Sequence, residues 1–242
     1  MEQEYDQITA FHYSAFRPSL HLQILKECLA EGDERPLGLD VGCGTGQSSI
    51  ALTHYCEKVI GIEPSKEMLA KSIEHPRIAY HHSDSIYFDF RDSFFDVITF
   101  AGSLYYAKSQ QLLDEVLRIG KDSSVVVIYD FDLPLDDVLE KLKVNNKFEK
   151  PSNYDHKVNF DGLNPGSLKT KKQLNKSLLL EISVGDVSHL LLSSKDNYGL
   201  LCETFGREKL YDKISQKLRL IFQSESIPVT AKTYSTVYQI SK

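Results

Sequence analysis

Tryptophan is absent from this sequence of 242 residues, and methionine occurs only twice. No apolar run approaches the roughly 18 to 20 residues that a membrane-spanning helix needs, so we expect no membrane partner. The composition is nevertheless that of an ordinary globular protein, with 41% hydrophobic and 26% charged residues. These proportions exclude a disordered chain, a collagen-like repeat and a small disulfide-rich scaffold.

Cysteine is scarce and widely spaced. The four cysteines are Cys28, Cys43, Cys56 and Cys202, and no two of them form a C-x-x-C pair. We therefore expect no metal site and no thioredoxin-like motif, and the pair His81 and His82 has no third ligand at a matching spacing. The acidic start of the sequence lacks the basic and apolar segments of a signal peptide, so we expect reduced thiols and a cytoplasmic location.

An excess of basic residues is also missing. The sequence has 28 Lys and Arg against 34 Asp and Glu, which gives a net charge of −6. A protein that coats nucleic acid needs a basic footprint, so a nucleic-acid partner is not expected. Residues 141–176 are locally basic, with nine lysines and three acids. That charge is compatible with an acidic substrate such as a carboxylate, although a solvated loop explains it more simply.

Strand and helix patterns alternate through the first half of the chain. The predicted strands are 37–41, 58–63, 77–81, 95–100 and 124–129, and the predicted helices are 19–31, 47–55, 66–74 and 110–119. Such alternation predicts right-handed crossovers and a doubly wound parallel sheet. Most of these strands are largely apolar, as expected where helices cover both faces of a sheet.

The second half is less regular. Residues 141–176 show no clear periodicity, 184–194 and 205–222 read as helices, and 230–240 reads as a closing strand. We predict a single domain over 1–242. Within it, 1–134 form the core, 135–200 a lid or insert, and 201–242 the closing helix and strand.

The most informative stretch is the glycine-rich segment that follows the first predicted strand. Gly42, Gly44 and Gly46 form a G-x-G-x-G turn that opens a helix. Glycines let the backbone turn sharply and approach a ligand, and a helix N-terminus supplies N–H donors. A tight turn without any ligand remains an alternative explanation of this segment taken alone.

Suitable groups follow the next strands in order. Glu63 ends the second strand, where an acid can accept both hydroxyls of a ribose. Asp84 follows the third strand and is placed to meet the edge of a purine, and residues 101–103 follow the fourth. Ligands of such sheets bind outside the carboxyl ends of the strands. We therefore predict a nucleoside-containing ligand at this edge.

A nicotinamide dinucleotide is one alternative ligand. Its fingerprint is G-x-G-x-x-G, but counting from Gly42 places Gln47 at the last glycine position, and the third glycine comes one residue early at Gly46. An NAD-dependent oxidoreductase is therefore less favoured than a protein with a different adenosine ligand.

Taken together, these motifs resemble those of the class I S-adenosylmethionine-dependent methyltransferases, in particular the small soluble group labelled type 11. The resemblance covers about residues 10 to 132. It implies a doubly wound, Rossmann-like α/β fold whose seven-stranded sheet is mostly parallel with an antiparallel closing strand and has helices on both faces. It also implies S-adenosyl-L-methionine as cofactor, S-adenosyl-L-homocysteine as product and a small-molecule substrate.

The resemblance also implies which residues contact the cofactor. The first motif would wrap the methionine part, Glu63 would bind the ribose, Pro64 and Met68 would lie under the adenine, and Asp84 and Ser85 would meet its edge. In some small-molecule members a Tyr-x-x-x-Arg-Pro segment closes over the cofactor, which suggests this role for Tyr13 and Arg17. The expected cofactor residues are thus Tyr13, Arg17, Asp40, Gly42, Cys43, Gly44, Gly46, Glu63, Pro64, Met68, Asp84, Ser85, Phe100, Ala101 and Gly102.

A catalytic residue is harder to predict, because the cofactor carries the reactive group and the protein mainly supplies position. The candidates are Tyr105, Tyr106 and Asp130, which follow the fourth and fifth strands. Related chains often have a histidine or an aromatic pair at about these two positions, and the absence of histidine here removes the obvious imidazole base. The alternatives are that the tyrosines only pack and that Asp130 is a solvated loop acid, so we assign no catalytic residue. The sequence does not specify an oligomeric state.

A protein of another class also fits the sequence. A regulatory protein could retain the sheet and the S-adenosylmethionine site yet have lost its substrate pocket. The complete set of glycines, Glu63 and Asp84 supports cofactor binding in either case, and turnover separates the two possibilities.

Overall fold

A computed structural model describes residues 8–9, 11–12, 15–30, 32, 34–144 and 154–242. The chain divides into two compact units. The first, which we name the sheet unit, comprises 19–131, 154–176 and 233–242. The second, the helical unit, comprises 1–18, 132–153 and 177–232. The prediction of a single domain over the whole chain stays a prediction.

Seven strands occur in the described residues and form one sheet. They are β1 (Arg35–Val41), β2 (Cys56–Glu63), β3 (Ile78–His82), β4 (Phe95–Ala101), β5 (Gly120–Asp132), β6 (Leu168–Ser183) and β7 (Ser226–Ile240). Their order is β3-β2-β1-β4-β5-β7-β6, mostly parallel with one antiparallel closing strand. The predicted doubly wound, seven-stranded fold is therefore confirmed.

Nine helices have assigned bounds in the described residues. They are α1 (His21–Cys28), α2 (Gln47–Leu52), α3 (Lys66–Leu69), α4 (Leu104–Ala107), α5 (Gln110–Ile119), α6 (Asp136–Lys141), α7 (Val184–Ser193), α8 (Lys195–Phe205) and α9 (Leu210–Phe222). Among the helices described, none is both long and apolar enough to span a membrane.

The strand order reverses between β1 and β4, which both run parallel to their neighbours. The chain leaves β1 toward β2 on one side and returns to β4 on the other. In an open parallel sheet this reversal leaves a crevice outside the carboxyl ends of the two strands. The glycine-rich segment follows β1 directly, so the fold places it at this crevice.

Burial of apolar strand residues stabilises the sheet unit. Leu39 of β1, Ile98 of β4 and Leu113 of α5 are fully buried in one core cluster. Helix α5 begins with a side-chain cap, since Ser109 Oγ accepts the Leu112 N–H at 3.2 Å. Filling a core in this way contributes roughly 1.5–3 kcal/mol for each large apolar side chain.

The helical unit has its own core. Leu191, Leu201, Ile214 and Ile227 are fully buried within it. Helices α7 and α9 share a buried hydrogen bond of 2.8 Å between Ser188 Oγ and Ser215 Oγ. Two separate cores explain why the chain divides into two compact units.

The structure corrects three expectations from the sequence. Residues 168–176, expected to be irregular, belong to β6. The helix expected over 205–222 begins later, at Leu210, because Gly206 ends α8 with φ +74° and Lys209, just before α9, has a left-handed conformation. The helix expected over 66–74 is the single turn of α3.

Candidate functional site

The glycine-rich segment makes a tight turn between β1 and α2. Gly42, Gly44 and Gly46 have φ values of +71°, +56° and +91°. Such positive values cost residues with a Cβ roughly 1–2 kcal/mol each, so glycine suits all three positions. The turn is held against β2, because the Gly42 and Cys43 N–H groups both donate to the Ile62 carbonyl at 2.8 and 3.0 Å.

The glycines also bring the backbone against neighbouring side chains. A Cβ at Gly42 would overlap the Cβ of Ser103, and one at Gly46 would overlap the hydroxyl of Tyr80. A Cβ at Gly44 would lie 3.1 Å from the flexible end of Met68. The segment therefore lies within contact of the chain after β4 on one side and of α3 and β3 on the other.

Glu63, at the end of β2, is buried and holds two backbone segments. Its Oε2 accepts the Gly44 N–H at 3.0 Å, and its Oε1 accepts the Ser65 N–H at 3.0 Å. Each carboxylate oxygen has a second acceptor position. The acid is therefore fixed beside the glycine-rich segment with acceptor capacity that a diol could use.

The end of β3 continues this edge of the sheet. The Ser83 N–H donates to the Glu63 carbonyl at 3.1 Å, and Nε2 of His82 donates to the Pro64 carbonyl at 3.0 Å. Asp84 is exposed, and the adjacent Ser85 accepts the Tyr87 N–H. The predicted ribose acid and the predicted adenine-edge residues thus follow neighbouring strands.

Asp40 lies inside the protein beneath the glycine-rich segment, with no exposed surface. Its carboxylate accepts hydroxyl hydrogen bonds from Ser48 at 2.6 Å, Ser49 at 2.7 Å and Thr99 at 3.0 Å. Burial raises its pKa, and these hydroxyls partly offset the rise. Asp40 therefore joins β1, β4 and α2 at the base of the crevice.

Replacing Asp40 with alanine is expected to lower the free energy of unfolding by about 3 kcal/mol, because three buried hydroxyls lose their acceptor. Urea unfolding followed by circular dichroism measures the change. Glu57→Ala, at an exposed position of β2, is the control and should change it by less than about 0.5 kcal/mol. A loss for Asp40→Ala no larger than the control's would contradict the anchoring role.

The predicted residues after β4 have different positions. The side chain of Phe100 is fully buried and packs edge-on against Phe160 at 5.9 Å between ring centroids, so only its backbone can meet a ligand. Gly102 has φ +70° and donates its N–H to the Tyr129 carbonyl at 2.8 Å. Ser103 donates its hydroxyl to the Val41 carbonyl, which ties this segment to the end of β1.

Asp130, predicted as a weak catalytic candidate, is the centre of a polar cluster. Its Oδ2 accepts hydrogen bonds from Tyr154 Oη and His156 Nδ1, both at 2.9 Å, and its Oδ1 accepts the Phe131 N–H at 2.7 Å. Tyr154 Oη also lies 2.8 Å from the Gly102 carbonyl, so its proton is shared between the two acceptors. This cluster therefore joins the end of β5 to the segment after β4.

Aromatic rings extend the cluster. The ring of Tyr105 lies 4.5 Å from that of Tyr154, and Tyr106 lies 5.8 Å from it. His156 contacts Tyr154 at 4.7 Å and stacks near Tyr234 at 6.2 Å. We name Asp130, Tyr154, His156, Tyr105, Tyr106 and Tyr234 the acid–aromatic cluster.

Sequence reasoning missed the roles of Tyr154, His156 and Tyr234. No histidine directly follows β4, but the structure places the imidazole of His156 against Asp130, 26 positions earlier in the chain. No local pattern marks this pairing. The one available signal was an isolated Tyr-x-His in a segment otherwise rich in lysine and asparagine.

Tyr13, Arg17 and Cys43 are also among the residues predicted to contact the cofactor. Tyr13 lies outside the described residues, and Arg17 is exposed and belongs to the helical unit, so their closure over a cofactor stays a prediction. Cys43 is buried, and burial raises the pKa of its thiol, so it remains protonated at neutral pH. It contributes backbone geometry and packing to the turn.

Part of the sheet unit is similar to known proteins. Residues 39–128 match the family model described as "Methyltransferase domain". A Dictyostelium discoideum protein assigned as a methyltransferase is 27% identical over 122 residues, which are 50% of this chain and 46% of the relative. A methyltransferase of Bacillus subtilis (strain 168), itself uncharacterized, is 29% identical over 47% of this chain and 48% of its own. The chain thus spans about half the length of these curated relatives.

Solved structures share the fold over a larger part of the chain. A protein of Anaeromyxobacter dehalogenans assigned as a type II methyltransferase superposes with a TM-score of 0.65 at 16% identity, covering 93% of this chain and 98% of its own. Identity this low establishes the fold alone. The residues 39–128 that match the methyltransferase-domain model lie within the sheet unit, so the family match and the shared fold concern the same part of the chain. Of the acid–aromatic cluster, Tyr105 and Tyr106 lie within the matched residues, and the other four members lie outside them.

Proposed function

We propose that this protein transfers the methyl group of S-adenosylmethionine to a small-molecule acceptor. The observation that carries the proposal is the placement of Glu63, whose carboxylate is fixed beside the glycine-rich segment by the N–H groups of Gly44 and Ser65. A carboxylate here suits a ribose diol at the reversal point of the sheet. The match of residues 39–128 to a methyltransferase domain supports S-adenosylmethionine as the cofactor.

The residues present fit the cofactor in chemical terms. Glu63 supplies acceptors for hydroxyl groups, and Met68, at 40% exposure, offers an accessible apolar surface next to Gly44. Asp84 is exposed after the neighbouring strand and can accept from an exocyclic amine. The absence of side chains at Gly42, Gly44 and Gly46 keeps the turn compact. When bound, the cofactor would supply an electrophilic methyl group on a sulfonium centre.

A small acceptor is favoured over a nucleic acid. The net charge of −6 provides no general attraction to phosphate backbones. The acid–aromatic cluster borders the segment after β4, so it offers a site for the acceptor close to the proposed cofactor site. Its rings suit contact with a small planar molecule.

Parallel calorimetric titrations with S-adenosylmethionine, S-adenosylhomocysteine and NAD test the proposal. We expect saturable binding of the first two and no binding of NAD. Binding of NAD alone would support the oxidoreductase alternative, and binding of none would contradict the proposed function. Methyl transfer from labelled cofactor to a panel of small molecules then separates an enzyme from a regulatory protein that only binds the cofactor.

A further inference from the structure

The acid–aromatic cluster contains an imidazole with a defined proton. Nδ1 of His156 lies 2.9 Å from Oδ2 of Asp130. An ionised carboxylate only accepts hydrogen bonds, so Nδ1 carries the proton of the neutral ring and the lone pair is on Nε2. The carboxylate also stabilises the imidazolium that forms when Nε2 takes up a second proton. The pair thus has the chemical properties of a general base.

The base is accessible and lies near the proposed cofactor site. The side chain of His156 is 30% exposed, whereas that of Asp130 is 11% exposed. Tyr154 connects the pair to the Gly102 carbonyl, and Ser103, the next residue, packs against Gly42. The imidazole and the glycine-rich segment therefore border the same stretch of chain after β4.

The surroundings favour one class of acceptor. Tyr105, Tyr106 and Tyr154 present rings whose centroids lie 4.5 to 5.8 Å apart, and such rings stack or pack edge-on against another planar ring. The amino group of Lys157 lies 5.4 Å from the centroid of the Tyr234 ring, which brings positive charge beside the cluster. The carboxylate of Asp130 already has three donors. A cationic acceptor is therefore less suited than a neutral aromatic one.

We propose that His156, held by Asp130, is the general base that deprotonates a phenolic hydroxyl on a small planar acceptor. This inference rests on the proposed function, because it names the acceptor class of the same methyl transfer. Tyr105 and Tyr106 bind the acceptor ring, and Tyr154 positions Asp130.

The step balances as an in-line displacement. The hydroxyl proton moves to Nε2 of His156, and a lone pair of the hydroxyl oxygen forms the new C–O bond to the methyl carbon. The electron pair of the broken C–S bond stays on sulfur. The products are a methyl ether, neutral S-adenosylhomocysteine and an imidazolium, which returns its proton to water.

Two phenols of different acidity test the base. Para-cresol is almost fully protonated at about pH 8, whereas para-nitrophenol is largely ionised there and needs little help from a base. Wild type should methylate both. His156→Gln should lower kcat for para-cresol by roughly 100-fold, within the range of general-base catalysis, and leave para-nitrophenol within about threefold.

A binding measurement supplements the rates. With S-adenosylhomocysteine present, titration of para-cresol into protein labelled at histidine nitrogens should shift the Nε2 resonance of His156. His54→Gln, at an exposed histidine, is the matched control and should change neither rates nor binding. Circular dichroism establishes that each variant is folded, and Tyr106→Ala, at a site 78% exposed, should weaken para-cresol binding without unfolding the chain.

The outcomes separate the two proposals. If S-adenosylhomocysteine does not bind to wild type, the proposed function itself fails. If it binds but neither phenol binds or is methylated, the acceptor class is wrong. Equal losses for both phenols in His156→Gln, or no loss with para-cresol, would overturn the role of His156 as a base.

Discussion

Gly46→Ala is expected to abolish detectable binding of S-adenosylhomocysteine and to lower the free energy of unfolding by roughly 2–5 kcal/mol. Gly46 has φ +91°, and an added methyl group would overlap the hydroxyl of Tyr80. The backbone conformation alone costs roughly 1–2 kcal/mol, and the overlap adds about 1–3 kcal/mol. Tyr80 also donates its hydroxyl to the Ile73 carbonyl at 3.0 Å, so displacing the ring disturbs the chain beside α3.

Gly162→Ala provides the matched control. Gly162 has φ +86°, but apart from its two chain neighbours no residue that the structure describes has an atom within 4 Å of the position of its added Cβ. It should therefore lose only the roughly 1–2 kcal/mol due to backbone conformation and keep its cofactor affinity. Calorimetry measures the affinity, and urea unfolding measures the stability. Equal effects of the two substitutions would show that the contact with Tyr80 is unimportant.

Glu63→Ala is expected to weaken S-adenosylhomocysteine binding by roughly 10- to 100-fold, because the charge-assisted hydrogen bonds to the ribose contribute about 1.5–3 kcal/mol. It also removes the acceptor of the Gly44 and Ser65 N–H groups. We therefore expect some loss of stability as well, and affinity is to be measured at a temperature where circular dichroism shows the variant folded.

Glu67→Ala is the control for charge. Glu67 lies in α3, shortly after Glu63 in the chain, and its carboxylate accepts the Ser65 hydroxyl at 3.1 Å on the exposed surface. This variant makes the same change in net charge and should bind S-adenosylhomocysteine within about twofold of wild type. A loss in Glu63→Ala no larger than in Glu67→Ala would remove Glu63 from the ribose site.

The sequence predicts the sheet well where local pattern and burial agree. Helix α5 has the predicted bounds, because a capping serine precedes an amphipathic stretch and Gly120 follows it. The sequence predicts strands β1, β2 and β4 because each is a short, largely apolar run between turn signals. In the structure each of the three is largely buried. The glycine-rich segment and Glu63 could be predicted as site residues because they lie at the ends of these strands.

Residues 168–183 show where local pattern fails. The segment contains lysines at 169, 171, 172 and 176 and is mostly exposed, so its composition gives no sign of a core-facing strand. It is ordered as β6 at the edge of the sheet, next to β7. Lysines on an edge strand discourage pairing with other chains, which gives this composition a structural reason.

The acid–aromatic cluster could not be predicted for a different reason. Asp130 was considered a loop acid or a weak candidate, and its partners come from residues 154 and 156 in a segment without periodicity. Only the tertiary fold brings these side chains together. The match to the family model ends at residue 128, so it carries no information about Asp130, Tyr154 and His156.

The different environments of the acids clarify their roles. Asp40 has no exposed surface and accepts hydrogen bonds from three hydroxyl groups, so it fixes the scaffold under the turn. Glu63 is also buried, but it accepts from two backbone N–H groups, one on each oxygen, which leaves acceptor positions on both. The sequence placed both acids in the cofactor site. The structure distinguishes a supporting acid from one suited to a ligand.

The central claim is that the cofactor binds outside the carboxyl ends of β1 and β2, with its ribose on Glu63. A crystal structure of the protein with S-adenosylhomocysteine tests it most directly. We predict density along the glycine-rich segment, with both ribose hydroxyls within about 3 Å of the Glu63 carboxylate. Density for the ligand at another place, or a ribose turned away from Glu63, would contradict the account.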